Sequence, residues 1–284
     1  MIADLRQATG HGSRPICASL QVPRSSFYHA ASPTPTQAED RRIGDLIEAI
    51  CQRQRRRYGD RRIGAELSDA GEVGAPDRLR RLMRQRGLRA LQPKTYVPKT
   101  SDGRADKPAP NLLLGQPLPA KPDPVWAGDI TFIPTAAGWL YLAVVIDRCS
   151  RKIVGWSLAD HLRADLVSDA LKQALGSRRT LPGLVFHSDR GSQYGRGTYR
   201  NLLREAGMRQ SMSARANPYP NAWTESFIGT LKTEMLQDGS FIAPADARIE
   251  IFAYLESYYN THRKHSSLGY KTPATFEAHI NSKN

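Results

Sequence analysis

The sequence has few cysteines. Its 284 residues include only Cys17, Cys51 and Cys149, which are odd in number and far apart, and the seven histidines show no zinc-site spacing with them. This pattern fits reduced thiols and excludes a disulfide framework or a zinc knuckle. No run approaches the roughly eighteen apolar residues of a transmembrane helix, and the first residues lack the apolar core of a signal peptide. We therefore expect a cytoplasmic protein with no membrane partner.

Acidic residues are also fewer than basic residues. The chain has 41 Lys and Arg against 27 Asp and Glu, which gives a formal net charge of +14. With 40% hydrophobic and 24% charged residues, the composition is globular and excludes wholesale disorder. A positive surplus of this size favours a polyanionic partner, most often nucleic acid. It is concentrated in residues 1–123, where 22 Lys and Arg face 13 Asp and Glu.

Residues 1–36 have the pattern of a helix-turn-helix. Ser13 is placed to cap a short helix, the turn Gln21–Pro23 follows, and a second short helix is predicted at residues 24–29. The Ser-Pro-Thr-Pro run at residues 32–35 ends this unit.

Residues 37–97 form a second, basic helical region. We predict helices at 38–54, 61–69 and 76–86. One arginine-rich helix is most simply a solvated face, but several short helices share the surplus here, so we expect DNA contact. Phosphate contact needs only Arg or Lys, whereas base reading depends on groove geometry that the sequence does not show. The candidate DNA-binding residues are Arg55, Arg56, Arg57, Arg78, Arg81 and Arg84.

Seven prolines lie among the 27 residues 98–124. Because proline fixes φ and removes a backbone donor, we interpret this stretch as an extended linker. It separates the helical part from a second domain, residues 125–284.

Downstream of the linker the hydrophobic period changes. Residues 125–133, 138–147 and 152–158 are predicted to form a three-stranded meander, and the second strand is apolar enough to be buried on both faces. Strands and helices then alternate, which predicts a mixed α/β layer architecture. We expect helices at 163–176, 197–206, 222–237 and 246–260, and short strands at 184–188 and 209–213.

Three acidic residues occupy positions suited to chemistry. Asp129 lies within the first strand, Asp189 follows the fourth, and Glu225 lies in the first turn of a long helix. Carboxylates crowded at strand ends repel one another unless a cation lies between them, and Mg²⁺ prefers such hard oxygen ligands. Two such ions suit in-line phosphoryl displacement.

Each acid also has a structural interpretation. An Asp at a strand end is commonly a turn or cap residue, and a Glu in the first helical turn commonly interacts with the helix dipole. Asp147 also ends a strand and is a rival for the first position; we interpret it as a turn residue.

Five motifs follow one another between Trp126 and Pro273, and 35 residues separate Asp189 from Glu225. With them the chain closely resembles the integrase-like subunit of insertion-sequence transposases, in the family named after insertion sequence three, which shares this D-D-35-E spacing with retroviral integrases. A shorter resemblance, in Y-G-D-R-R-I and R-L-M-R-Q-R-G-L-R-A, covers the family's helix-turn-helix region. The five motifs are W-A-G-D-I-T-F-I, W-L-Y-L-A-V-V-I-D-R-C-S-R-K-I-V-G-W, H-S-D-R-G-S-Q-Y, N-A-W-T-E-S-F-I-G-T-L-K-T-E and Y-N-T-H-R-K-H-S-S-L-G-Y-K-T-P.

The resemblance implies an α/β fold: an RNase H-like catalytic core of the retroviral-integrase type with a mixed sheet, preceded by an all-α helix-turn-helix DNA-binding region. It places the family's catalytic and metal-binding triad on Asp129, Asp189 and Glu225. It also implies two Mg²⁺ ions, for which Mn²⁺ could substitute, and a DNA strand-transfer reaction.

Four further residues gain candidate DNA-binding roles from the resemblance. Lys232 lies two helical turns after Glu225 on the same face, although a solvated helix lysine is the simpler interpretation. Asn221 could bind phosphate or orient a ligand. Arg263 and His265 belong to the C-terminal motif and could equally bind DNA or brace the core.

The chain departs from the family pattern at two places. Pro220 stands where the family commonly has Asp, and Ala127-Gly128 precede Asp129 where the family has a polar or branched residue. Neither change removes a metal ligand of the triad.

Together these features predict a DNA transposase that cleaves insertion-sequence ends and joins their 3′-hydroxyl to DNA, at the bacterial nucleoid. The expected partners are double-stranded DNA (terminal inverted repeats and target), at least one further copy of the chain, and an upstream-frame helix-turn-helix protein. Two other classes stay open: a catalytically inactive DNA-binding regulator and an RNase H-like nuclease. The intact triad argues against the first, and the basic helical region argues against the second.

Overall fold

A computed structural model of the chain describes residues 2–23, 34–93, 108–213, 222–236 and 239–282. The chain forms two compact units, Met1–Ala90 and Leu91–Asn284. We found no helix in the described ranges with the length and apolar character needed to cross a membrane.

The N-terminal unit is helical. It begins with α1 (Ile2–Thr9) and α2 (Ser13–Ser19), whereas the helix predicted at residues 24–29 falls outside the described residues. The three helices predicted in the basic region are confirmed as α3 (Pro35–Arg53), α4 (Asp60–Asp69) and α5 (Pro76–Gln85).

These three helices enclose one apolar core. The start of α3 is fixed by a capping box, in which Thr34 Oγ1 accepts the Gln37 N–H at 3.2 Å and Gln37 Oε1 accepts the Thr34 N–H at 2.9 Å. Full burial of each aliphatic side chain contributes about 1.5–3 kcal/mol, so packing dominates the stability of the unit. The core side chains are Ile43, Ile47, Ile50, Cys51, Tyr58, Ile63, Leu67, Leu79, Leu82 and Met83.

The second unit is built on a five-stranded mixed sheet with the order β3-β2-β1-β4-β5. The predicted meander is confirmed: β1 (Val125–Thr135), β2 (Gly138–Asp147) and β3 (Ile153–Ala159) pair antiparallel. On the other side of β1, β4 (Val185–Ser188) and β5 (Arg209–Met212) pair in parallel.

Helices cover both faces of this sheet. Ala143 and Val145 of β2 face α6 (Ala164–Ser177), α7 (Ser192–Gly195) and α8 (Gly197–Glu205). Val144 and Ile146 face the opposite layer, which includes α9 (Ala222–Met235). The apolar run of β2 is therefore buried on both sides, as predicted.

The helix predicted at residues 246–260 is only partly regular. It begins as α10 (Pro244–Phe252) and continues as a π-helix, Ala253–Tyr259. Tyr254 and Tyr259 are five residues apart and both buried in the same core cluster, which the wider π-helical turn allows and an α-helical turn does not. A 3₁₀ turn (Ser266–Leu268) and α11 (Pro273–Asn281) follow.

The edge strand β3 is protected by side chains. Asn260 Oδ1 accepts the Ile153 N–H at 2.9 Å and Asn260 Nδ2 donates to the Ile153 carbonyl at 3.0 Å. Gln173 accepts the Trp156 N–H, and Arg248 donates to the Leu158 carbonyl at 2.8 Å. These bonds satisfy backbone groups that would otherwise invite another strand to pair.

The stretch predicted as an extended linker, residues 98–124, has contacts with the sheet in its second half. Residues 94–107 fall outside the described residues, but the chain from residue 108 packs beside β5. There the Leu112 N–H donates to Ser211 Oγ at 2.9 Å, and the Pro110 carbonyl accepts the Met212 N–H at 3.3 Å. Proline lacks a donor but keeps its carbonyl acceptor, so a proline-rich chain can still bond along a sheet edge.

Candidate active site

The register of the parallel strands aligns Asp129 with Asp189. β1 and β4 pair up to Ala127 and His187, and each aspartate follows that pair by two residues. Side chains alternate along strands, so both carboxylates lie level with each other on one face of the sheet. Asp189 comes directly after the end of β4, where parallel pairing stops.

Glu225 comes from α9, which covers that same face. Phe227 and Leu231 of α9 are buried in the cluster that contains Ala127 of β1. Glu225 itself is exposed in the first turn of the helix. Buried packing of one side of α9 therefore holds the glutamate on the side of the sheet that carries Asp129 within β1 and Asp189 after β4.

The three carboxylates interact electrostatically. Burial, and then the negative charge of Asp189, raises the pKa of Asp129 to about 8, and Glu225 adds to this increase. Desolvation, and then the charge of Asp189, raises the pKa of Glu225. Two backbone donors orient the aspartates: Ile130 N–H to Asp129 Oδ1 at 2.8 Å and Gly191 N–H to Asp189 Oδ1 at 2.9 Å.

The donor chemistry of this cluster fits a hard cation, because the negative charge of Asp189 adds to the burial that raises the pKa of Asp129 and of Glu225, and a positive charge would relieve this repulsion. In the described part of the chain, however, no three His, Cys, Asp or Glu side chains come together closely enough to hold one metal ion.

Lys232 lies on the same side of α9. It is half-buried, and burial lowers its pKa while the negative charge of Asp129 opposes that shift. The lysine and Asp129 therefore interact electrostatically. Asn221, the other candidate near this helix, lies outside the described residues.

Asp147 has the structural role expected from the sequence. Its fully buried carboxylate accepts the Ser150 N–H at 2.7 Å, the Cys149 N–H at 3.0 Å and the Asp123 N–H at 2.7 Å. These bonds fix the turn between β2 and β3 and leave Asp147 with no place in the carboxylate cluster.

Tyr194 is a site residue that sequence reasoning did not single out, although it ends the motif H-S-D-R-G-S-Q-Y. It is buried, and burial with the nearby Tyr199, Asp129 and Asp189 raises its pKa well above the usual range. A β-carbon on Gly128 would lie 3.3 Å from Tyr194 Oη and 2.6 Å from Phe186 Cζ. The unusual glycine before Asp129 thus gives these rings room beneath the site.

Arg263 and His265 lie in the interior. The guanidinium of Arg263 is bidentate to Glu234, with Nη2 donating to Oε1 at 2.8 Å and Nε donating to Oε2 at 3.2 Å, and both side chains are 4% exposed. His265 is 9% exposed and packs edge-on against Tyr259 at 4.9 Å between ring centroids. Of the two predicted roles, this placement favours bracing the core over contacting DNA.

The arginines of the N-terminal unit divide into two sets. Arg78 Nε and Arg81 Nη2 both donate to Asp40 on α3, at 2.7 and 2.6 Å, so they tie α5 to α3. Arg84, Arg55 and Arg56 are exposed, and none of them forms an ion pair within the described residues. Arg57 is partly buried.

Comparison with known proteins agrees with this architecture. Two family models, both described as an integrase core domain, match residues 119–218 and residues 206–273. A model of an HTH-like domain matches residues 37–96. The two integrase matches together contain Asp129, Asp189, Glu225 and Lys232, and the HTH-like match contains α3–α5.

Two relatives cover nearly the whole chain. The transposase for insertion sequence element IS904 of Lactococcus lactis is 42% identical over 245 residues, which is 86% of this chain and 97% of the relative. The transposase InsF for insertion sequence IS3A of Escherichia coli is 36% identical over 266 residues, 92% of each chain.

Among solved structures, the HTLV-2 integrase catalytic core domain in complex with magnesium aligns with a TM-score of 0.42 and 17% identity, covering 56% of this chain and 98% of that one. An alignment this weak adds nothing to the assignment, which rests on the sequence relatives and the domain matches. The chain belongs to the insertion-sequence transposase family, with an integrase core domain that makes it an enzyme of the polynucleotidyl transferase type.

Proposed function

We propose that the chain cleaves the ends of an insertion element and joins the resulting 3′-hydroxyl to DNA at Asp129, Asp189 and Glu225. One observation carries this assignment: burial, and then the negative charges of Asp189 and Glu225, raise the pKa of Asp129 to about 8. Repulsion between the acids makes such a cluster unfavourable for the fold, whereas a bound cation would be stabilised by it. Acids with perturbed pKa values of this kind are typical of functional sites.

The donor set suits a pair of Mg²⁺ ions, with Mn²⁺ as a substitute, held by Asp129, Asp189 and Glu225. When bound, such ions would stabilise the attacking and leaving oxygens of an in-line phosphoryl displacement. Phosphoryl transfer of this kind needs no covalent enzyme intermediate, and the chain accordingly needs no serine or tyrosine nucleophile.

The residues of the chain supply positioning. The Ile130 N–H donates to Oδ1 of Asp129 and the Gly191 N–H donates to Oδ1 of Asp189, so both carboxylates are held in a fixed orientation. Glu225 approaches from the helix above them, and Lys232 provides a cation for a phosphate oxygen at the same site. The buried Tyr194 lies near enough to Asp129 and Asp189 for their charges to act on its hydroxyl.

Joining two DNA ends requires a second copy of the chain and further partners. Because the core has one carboxylate cluster while two DNA ends must be brought together, we propose a working unit of at least a dimer on terminal inverted repeats and target DNA. An upstream-frame helix-turn-helix protein would complete the assembly, which would act in the cytoplasm at the nucleoid.

Cleavage and joining of an oligonucleotide duplex that carries one element end test the assignment. Asp129→Asn, Asp189→Asn and Glu225→Gln should each abolish both reactions in Mg²⁺ and leave DNA binding intact, because each keeps size and removes charge. Asp169→Asn is the matched control, since Asp169 is exposed on α6 and pairs with Lys172. Substantial activity in any triad variant would remove that residue from the site.

The wild-type chain separates the rival classes in the same assay. Binding without any cleavage would identify a DNA-binding regulator. Cutting of arbitrary duplexes without joining would identify an RNase H-like nuclease.

A further inference from the structure

The turn between α3 and α4 holds two arginines in a rare backbone conformation. Arg55 and Arg56 have φ values of 49° and 60°, a left-handed region that residues with a β-carbon rarely adopt. Backbone bonds close the turn, with Arg55 N–H to the Gln52 carbonyl at 3.0 Å and Arg56 N–H to the Cys51 carbonyl at 2.8 Å. Glycine would adopt this turn without strain, yet the sequence has exposed arginine at both positions.

A third arginine lies beside this turn. Arg56 Nε donates to the Arg89 carbonyl at 3.1 Å, and the neighbouring Leu88 packs against the three-helix core. Arg89 is exposed like Arg55 and Arg56. These three residues, Arg55, Arg56 and Arg89, form a surface that we call the basic corner.

The positive charge of the basic corner is not neutralised by the unit. The acids nearest to it along α4 are engaged elsewhere: Glu66 pairs with Arg53 at 2.7 Å and Asp60 with Arg80 at 2.8 Å. Within the described residues, none of the three corner arginines forms an ion pair with a carboxylate. The basic corner therefore keeps a concentrated positive charge on the surface.

The arginines on the face of α5 differ from those of the basic corner because they are already bonded to carboxylates. Arg78 and Arg81 each donate to Asp40, and Arg80 donates to Asp60 and Asp77. A phosphate that approaches this face would have to displace charge-assisted hydrogen bonds that are already formed. At the basic corner none of the described carboxylates pairs with the arginines, and Arg56 Nε donates to a neutral acceptor, the Arg89 carbonyl.

We propose that the basic corner, and not the aspartate-paired face of α5, binds the phosphate backbone of duplex DNA. This inference rests on the proposed function, which supplies DNA as the polyanion. The corner sets affinity and position along the duplex; phosphate contacts of this kind carry no sequence information.

The test compares two triple variants of the full chain. Arg55→Gln, Arg56→Gln and Arg89→Gln together remove the corner, while Arg42→Gln, Arg53→Gln and Arg80→Gln remove three exposed arginines that are paired with carboxylates. Both variants lose three positive charges. Fluorescence anisotropy with a short labelled duplex that lacks element ends measures affinity as a function of salt.

The corner variant should bind several-fold more weakly, and its slope of log affinity against log salt should fall by about 0.9 for each lost phosphate contact. The control variant should keep most of the wild-type slope, although its carboxylates lose their arginine partners and repel DNA. Equal losses in the two variants would show that binding follows net charge alone and would overturn the proposal.

Arg55→Gly separates binding from folding. Glycine adopts the left-handed conformation of residue 55 without strain, so the melting temperature of the chain should stay the same or rise by a few degrees. The affinity for the duplex should fall, because one arginine is lost. The proposal would be overturned if both Arg55→Gly and the triple variant of the basic corner bound the duplex as tightly as the wild type. A wild-type chain that binds no duplex even at low salt would instead overturn the proposed function.

Discussion

The N-terminal helical unit and the sheet-based unit use arginine in opposite ways. In the first, Arg42 bridges Glu39 and Glu72 with its side chain 49% exposed. In the second, Arg263 pairs with Glu234 at 4% exposure, and Arg151 lies over the ring of Trp223, with Cζ 3.4 Å from the centroid. The same residue type therefore forms solvated links between helices in one unit and braces the interior in the other.

This difference limits what basic composition can reveal. A charge surplus predicts a polyanionic partner for the chain, but it does not separate an arginine that reaches DNA from one that is part of the core. Exposed ion pairs contribute little to stability, whereas breaking a buried pair leaves an uncompensated charge in a poorly solvated place. Mutations that remove one member of each kind of pair should therefore have very different effects.

The largest effect is expected for Glu234→Ala. It leaves the buried Arg263 without its counter-charge and removes the acceptor of the Tyr254 hydroxyl bond at 2.9 Å, so the sheet-based unit should lose about 3–5 kcal/mol. All four tryptophans, Trp126, Trp139, Trp156 and Trp223, lie in this unit. Urea unfolding followed by tryptophan fluorescence therefore measures the loss directly.

Glu250→Gln, at an exposed position of α10, serves as the control and should unfold like the wild type. Replacing both Glu234 and Arg263 by Met should recover much of the stability, because a hydrophobic pair needs no desolvation of charge. A double variant as unstable as Glu234→Ala would show that the ion pair itself, and not the unpaired arginine, sets the effect.

A smaller but clear loss is expected for Gly155→Ala. Gly155 of β3 lies against the backbone of α6, where an added β-carbon would overlap the Ala170 carbonyl and lie 2.7 Å from the Ala174 nitrogen. Neither backbone atom can move without shifting the helix, so overpacking should cost about 1–3 kcal/mol in the same fluorescence assay.

Gly176→Ala, in the last turn of that helix, is the matched control. No atom lies within 4 Å of its added β-carbon, and Ala has the better helix propensity, so it should be neutral or gain up to about 1 kcal/mol. Similar losses at both glycines would contradict the close approach of α6 to β3.

Much of this architecture follows from sequence patterns that depend on local physics. The apolar run of β2 predicted burial on both faces, and the period of α3–α5 predicted their number and order. The 35 residues between Asp189 and Glu225, together with the surrounding motifs, indicated which acids form the triad, and that assignment stays a prediction. Asp147, with turn residues after it, was correctly separated from them.

Features that depend on partners distant in sequence were not predictable. Asp40 meets Arg78 and Arg81 only because α3 and α5 pack together, 38 and 41 residues apart. Likewise, proline content suggested a linker, but the carbonyl of Pro110 accepts a hydrogen bond from Met212 of β5, which is far away in sequence. The π-helical turns of residues 253–259 depend on a core that no local pattern describes.

Gly44→Ala should be close to neutral, although its added β-carbon would overlap a side chain as severely as that of Gly155. The overlapping atoms belong to the Arg86 guanidinium, which bonds to Asp45 at 2.7 Å and to Glu48 at 3.0 Å at the surface of the N-terminal unit. This flexible group can swing away, and the gain of about 1 kcal/mol in helix propensity offsets its lost bonds. Hydrogen exchange of the α3 amides measures the balance; a loss like that of Gly155→Ala would show that Arg86 is held as rigidly as the core arginines.

The smallest effect is expected for Asp40→Asn. Hydrogen bonds from Arg81, and then from Arg78, hold the pKa of Asp40 below its usual range. A depressed folded-state pKa adds stability above the unfolded pKa, and this stability is lost as the pH falls through the folded value. The variant should therefore exchange its α3 and α5 amides slightly faster than the wild type at neutral pH, and the difference should vanish in acid. It should also shrink as salt screens the exposed pairs, whereas the loss in Glu234→Ala should persist at high salt because the buried pair is little screened. If salt left the Asp40→Asn difference unchanged, the arginines of the N-terminal unit would be coupled to the fold in the same way as those of the core.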